Sequence, residues 1–154
     1  MVPGSPLVRR RAIVARVCVV MPTDPTSAPT AIVTGGSRGA GREIARKLGS
    51  RGYAVVVVYL RDQGEAEAAV DEILAAGGTA VAVRADVADE LDVERLFTES
   101  AAAFGGVDFV VHTTVRGTSV LKRQAARQLR HGGAIVNVAD LNVLLDRWRP
   151  WSWT

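Results

Sequence analysis

Between residues 30 and 138, short apolar runs alternate with longer amphipathic stretches. The runs 30–34, 54–59, 79–84, 107–112 and 134–138 are brief and rich in β-branched residues, which suits buried strands. The stretches 40–51, 64–76, 89–104 and 118–130 carry apolar residues at helical spacing. This alternation predicts a parallel sheet wrapped by helices. The run Ala54-Val55-Val56-Val57-Val58 is apolar at every position, so it is expected to be buried on both faces. Right-handed crossovers then give a three-layer α/β domain with strand order 3-2-1-4-5. A ligand is expected above the C-terminal ends of strands 1 and 4, where the order reverses.

The flanks read differently. Residues 1–29 hold Arg9, Arg10, Arg11 and Arg16, then a loop with Pro22, Pro25 and Pro29. They are expected to be a disordered leader or a misassigned start, with translation beginning at Met21. A targeting segment fits less well, because Arg16 interrupts the apolar region and no clear cleavage site follows. Residues 139–154 contain Trp148, Trp151 and Trp153 and lack strand or helix period, as an aberrant, frame-shifted tail would.

Charge and composition narrow the function classes. The net charge of +3 comes from the leader, since residues 30–154 carry fifteen basic and fifteen acidic groups. Nucleic acid is therefore not an expected partner. No apolar run reaches membrane-spanning length, so no membrane association is expected. The single cysteine, Cys18, cannot form an internal disulfide, which fits a cytoplasmic location. His112, His131 and that cysteine supply no metal-site spacing.

The chemistry-bearing motif is Thr34-Gly35-Gly36-Ser37-Arg38-Gly39-Ala40-Gly41, set between a strand and a helix. Glycines there allow a tight turn and close approach of the backbone to phosphate. The following helix N-terminus supplies free N–H groups and a positive dipole end. The spacing T-G-x-x-x-G-x-G resembles the short-chain dehydrogenase/reductase family, from about Thr30 to Asp140. Ala85-Asp86-Val87 looks like the family's adenine-contacting Asp-Val. The stretches 107–111 and 132–138 look like its fourth and fifth strands.

The resemblance implies a Rossmann-type fold, incomplete at its C-terminus, and a dinucleotide cofactor held by Gly35, Ser37, Arg38, Gly39, Ala40 and Gly41. Asp86 and Val87 would meet the adenine; the alternative for Asp86 is an N-cap or turn aspartate. Asp89 is the better helix cap. Strand 2 ends Tyr59-Leu60-Arg61 with no carboxylate before Asp62. An acidic residue there would serve the ribose 2′-OH of NAD; a guanidinium at Arg61, aided by Arg38, suits the 2′-phosphate of NADP(H). The alternative for Arg61 is a solvated loop arginine.

Departures from the family pattern lie further on. His112 stands in the first position of its Asn-Asn-Ala-Gly, offering backbone contacts to the ribose and no base catalysis. Thr114-Val115-Arg116-Gly117-Thr118 resembles its Asn-Val-x-Gly-Thr with threonine in place of asparagine, and the intervening loop is short. Ala139-Asp140 replaces its Ser-Ser. Its Tyr-x-x-x-Lys acid/base pair is absent: residues four beyond Tyr53 and Tyr59 are Val57 and Gln63. No catalytic residue is assigned. Asp108, His112 and Ser119 have no support as a triad, and Glu65, Glu67, Asp71 and Glu72 read as a solvated helix face.

The expected function is oxidoreduction by ancestry, with NADP(H) bound and no turnover by this chain alone. The alternatives are a non-catalytic nucleotide module or regulator, and a half-enzyme completed by a partner chain or oligomer. The strand at 134–138 is expected to form an apolar sheet edge prone to aggregation.

Overall fold

A computed structural model describes residues 28–114 and 116–138. The leader through residue 27, Val115, and the tail with Ala139, Asp140 and the tryptophans lie outside the described residues.

Strands and helices alternate without exception among the described residues: β1 Thr30–Thr34, α1 Gly39–Ser50, β2 Ala54–Tyr59, α2 Gln63–Ala75, β3 Thr79–Arg84, α3 Glu90–Phe104, β4 Val107–His112, α4 Thr118–Gln128 and β5 Leu129–Asn137. All five strands pair in parallel, in the order β3-β2-β1-β4-β5. The expected order is the observed one.

Alternation along the strands builds two cores. Val55 and Val57 of β2 join Ala31, Val33 and Val111 under Ala45 of α1 and Ala66, Ala69 and Ile73 of α2. Val56 and Val58 face the other way, with Ile32 and Val110, beneath Val93, Leu96 and Phe97 of α3 and Leu121 and Ala125 of α4. A strand buried on both faces has no polar position to give up, which explains the unbroken valine run. The helices approach closely where side chains vanish. A Cβ on Gly49 would lie 2.6 Å from Ile73 Cγ2, so this glycine sets the α1–α2 distance.

The last strand differs from the sequence reading. β5 starts at Leu129 rather than 134, and α4 stops at Gln128. Val107 pairs with Leu129 and Phe109 with Ala134, so Asp108 stands opposite a bulge formed by residues 130–133. Gly132 takes a left-handed φ of 83°, and a Cβ on Gly133 would meet the Asp108 carbonyl oxygen at 2.7 Å. Arg130 Nε lies 3.7 Å from Asp108 Oδ1 across the bulge. The residues that make the bulge are polar or glycine, so they carry no strand period. β5 occupies one edge of the sheet.

Candidate functional site

Each expected glycine has a distinct geometric reason. Gly35 follows β1 with φ of 64°, and a Cβ there would lie 2.6 Å from Thr113 Oγ1. Gly41 is buried in the first turn of α1, where a Cβ would sit 2.1 Å from the Gly35 carbonyl oxygen. The helix therefore rests directly on the loop. Gly39 has φ of 55° with nothing within 4 Å of its missing Cβ, so only backbone sign requires it.

The start of α1 is open. Arg38 at its N-cap is extended and makes no side-chain cap bond, and the first turn, which includes Ala40, holds no acidic residue. By contrast, Asp62 caps α2 by accepting from the Glu65 N–H, and Asp89 caps α3 by accepting from the Asp92 N–H. The leading N–H groups of a helix have no intrahelical acceptor. On α1 no capping side chain takes that place, and the dipole end favours an anion.

A cleft of about 360 Å³ opens beside this loop. Thr34, Gly35 and Ser37 line one part of it; Val58, Tyr59 and Leu60 at the end of β2 line another. Ala85, Asp86 and Val87 after β3 complete it with Thr114 and Arg116. The Asp86 carboxylate is partly used within its own turn: Oδ1 accepts from the Ala88 N–H at 2.9 Å. The Asp86 N–H donates to Asp92 Oδ2 at 2.8 Å. That bond, followed by Arg95, holds the Asp92 carboxyl below its usual range. Asp92 is thus a latch that fixes the Asp86–Val87 turn at the cleft.

The cations divide into paired and unpaired. Arg38 reaches Asp62 at 3.3 Å, with two thirds of its side chain exposed. Arg42 is gripped by Glu65 at 2.9 Å and Glu72 at 2.6 Å. Those two glutamates therefore tie α2 to α1, a correction to their reading as a merely solvated face. Arg61 lies exposed just past β2 and outside the cleft lining.

His112 lies beneath the cleft, almost fully buried at the end of β4. Its Nδ1 is 2.8 Å from Thr34 Oγ1, and its Nε2 is 3.1 Å from Thr118 Oγ1. Thr34 Oγ1 also accepts from the Thr113 N–H at 3.1 Å. Both ring nitrogens thus have hydroxyl partners, and the tautomer sets which of the two contacts the ring donates. Burial, and more weakly Lys122, push the ring below its ordinary value of 6.5, against a hydrogen bond to the Arg116 backbone. A neutral ring therefore clasps β1 to α4. The His112 carbonyl accepts from the Val138 N–H at 2.8 Å. Asp108 takes the Thr30 N–H at 2.8 Å and approaches Arg130, away from any triad geometry.

Gly35, Ser37, Asp86 and Val87 of the expected set thus line one cleft, with Gly39, Ala40 and Gly41 in the adjoining loop and helix start. Arg38, Arg61 and His112 lie outside the lining. Thr34, the first residue of the motif, lines it too, and Thr114 and Arg116 do so without having been assigned to the site; the brevity of the 113–117 link was the signal that these two come near. No helix among the described residues is long and apolar enough to cross a membrane, and no group of three or more potential metal ligands occurs among them.

Comparison with known proteins agrees with this geometry. A family model described as short chain dehydrogenase matches residues 29–143. The short chain dehydrogenase claC of Passalora fulva is 35% identical over 129 residues, covering 69% of this chain and 48% of that protein. Among solved structures, a dehydrogenase/reductase from Sinorhizobium meliloti 1021 superposes with a TM-score of 0.70 and 37% identity, over 81% of this chain and 57% of its own. A short chain dehydrogenase from Burkholderia cenocepacia J2315, in complex with NADP, gives 0.67 and 34%, over 72% and 55%. The chain spans about half the length of the curated relative. It belongs to the short chain dehydrogenase family, whose members bind a nicotinamide dinucleotide.

Proposed function

We propose that this chain is the nucleotide-binding half of an NADP(H)-dependent oxidoreductase acting on a carbonyl or alcohol. The observation that carries the reading is the cradle of Gly35 and Gly41, which a Cβ would fill, beside an uncapped α1. The cradle fits a pyrophosphate: Gly35, Ser37, Gly39, Ala40 and Gly41 would present backbone N–H groups to it. Asp86 and Val87 would meet the adenine, and His112 would contribute only through its position under the loop. The bound cofactor supplies a hydride; the protein's residues hold and orient it.

Selectivity for NADP(H) rests on charge. No carboxylate ends β2 at residues 59–61, while Arg61 is exposed there and Arg38 stands at the loop. A 2′-phosphate placed between them would draw Arg38 from its exposed pair with Asp62, a pair worth about 0–1 kcal/mol. Turnover requires a general acid/base that these 154 residues do not contain as Tyr-x-x-x-Lys. Losing a positioned acid costs about 10²–10⁴ in rate. The exposed edge at β5 favours a second reading, in which another polypeptide segment pairs there and completes the enzyme. By composition, residues 30–138 form the binding domain and both flanks lie outside it.

Titration with NADPH and NADH tests the proposal. Saturable binding that prefers NADPH, and loses that preference in Arg61→Ala, is the expected result. Equal affinity for the two cofactors would remove the selectivity argument. No binding by a folded chain would remove the function.

A further inference from the structure

We propose that His112 is a positioning residue for the nucleotide, and that its ring binds a proton cooperatively with occupation of the cleft. The inference rests on the nucleotide-binding reading above and gives that site a proton-linked affinity.

Thr34 connects the ring to the cleft. It lines the cleft, ends β1 and immediately precedes Gly35. Its backbone lies opposite His112 in the β1–β4 register. Its Oγ1 is 2.8 Å from His112 Nδ1 and accepts from the Thr113 N–H at 3.1 Å, and its carbonyl accepts from Thr113 Oγ1. The other ring nitrogen, Nε2, is 3.1 Å from Thr118 Oγ1 at the start of α4. One ring thus ties the strand end that carries the glycine loop to the helix that follows the short link. A neutral imidazole donates to one of these hydroxyls and accepts from the other, whereas a protonated ring donates to both. A hydroxyl hydrogen rotates to suit, so the clasp keeps both contacts in either state.

A charge on this ring is costly. His112 is 1% exposed, and burial is the main cause that holds its proton affinity down. Lys122 on α4 opposes the proton, while the Arg116 backbone in the link favours it through a hydrogen bond. Of the other neighbouring elements, β1 carries no ionisable side chain, β5 sets Asn137 beside His112, and α3 turns Val93, Leu96 and Phe97 to this layer. Asp108, on β4 itself, accepts from the Thr30 N–H, and Asp86, after β3, from the Ala88 N–H. A pyrophosphate in the cradle adds negative charge beside the loop that Thr34 opens, one threonine side chain from the ring. An anion so near favours the charged imidazole, whatever the starting proton affinity. By linkage, the proton tightens the nucleotide as much as the nucleotide tightens the proton.

The test is an NMR pH titration of the histidine rings in the full chain, free and saturated with NADP⁺ or with NAD⁺. The chain has two histidines, so exposed His131 serves as the internal reference and His112→Gln assigns the signals. The His112 midpoint should rise by about 1 pH unit when either ligand is bound, equivalent to about tenfold tighter binding by the protonated form, while His131 stays put. NAD⁺ lacks the 2′-phosphate, whose own ionisation near pH ~6 would otherwise enter the comparison. Thr34→Val removes the hydroxyl between ring and cleft and should weaken NADP⁺ by about tenfold at pH 7.5, whereas Thr34→Ser should not. A His112 midpoint that is unchanged or lowered by bound ligand, or a ring that stays neutral in both forms to the acid limit of folding, would overturn the proton linkage while leaving the nucleotide reading intact. Wild-type affinity in both Thr34→Val and His112→Gln would overturn the positioning role. If neither ligand binds a folded chain, the nucleotide reading itself fails, and the inference with it.

Discussion

The β1–α1 and β3–α3 units share one plan, strand, turn and helix, and finish it in opposite ways. In β3–α3, carboxylates close the turn. Asp89 takes the Asp92 N–H, Asp92 takes the Asp86 N–H, and Asp86 takes the Ala88 N–H. In β1–α1 the same region is built from glycine, and α1 has neither a cap nor an acidic first turn. The first arrangement satisfies its donors internally and adds stability. The second leaves them without a capping side chain and sets Gly41 so close to the Gly35 carbonyl that no Cβ fits between. A helix end thus becomes a candidate site through what the chain declines to place there.

Gly41→Ala should break that contrast most severely. Its methyl would meet the Gly35 carbonyl oxygen at 2.1 Å, so the helix must lift from the loop. The expected result is loss of NADPH binding together with about 1–3 kcal/mol of stability, measured by urea unfolding. Gly39→Ala sharpens the point, because it meets no neighbour and only strains a left-handed backbone by about 1–2 kcal/mol. It should retain measurable binding.

Asp89→Ala attacks the closed turn instead. It should cost about 1 kcal/mol through the lost cap, with NADPH affinity unchanged. A parallel fall in affinity would mean that the two turns are not separable.

Acid should separate the two units as well. Folding lowers the His112 value below 6.5, so the unfolded chain binds the extra proton first. Stability is then full above about 6.5 and declines as pH falls through that value toward the lower folded one. Asp92 is held below 3.8, so its latch stays charged throughout this window. Urea unfolding at pH 7.5 and 5.5 should show the decline, and His112→Gln should flatten it.

The smallest effect is expected of Asp62→Asn. Asparagine keeps the α2 cap but releases Arg38 from its 3.3 Å ion pair. NADPH affinity should rise by a few-fold, in line with a pair worth about 0–1 kcal/mol, while the melting temperature barely moves. An unchanged affinity would leave Arg38 without a part in phosphate binding.

Much of the fold was legible because its signals are local. The valine run of β2, the glycine spacing after β1 and the Asp89 cap each act within a few residues. The alternation also yielded the order of the strands, but a bulge or a helix-to-helix ion pair leaves no local signal. Arg130, His131, Gly132 and Gly133 have no strand period, yet the bulge against Asp108 admits them into β5. Glu65 and Glu72 look solvated until α2 packs beside Arg42. The site was read unevenly for the same reason. The loop glycines announce themselves by spacing, whereas Arg116 comes near only because Gly117 fits against Val87. His112 was visible as a substitution in the family pattern, but its clasp between Thr34 and Thr118 belongs to the folded β1–β4 pair.

The most direct test of the open-versus-closed contrast is an NMR titration of labelled protein with NADPH, following backbone amides residue by residue. The account predicts large shifts for the amides of Gly35 through Gly41, with those of Glu90, Leu91 and Asp92 at the start of α3 nearly still. Unmoved loop amides at saturating NADPH, or equal movement at both helix starts, would contradict it.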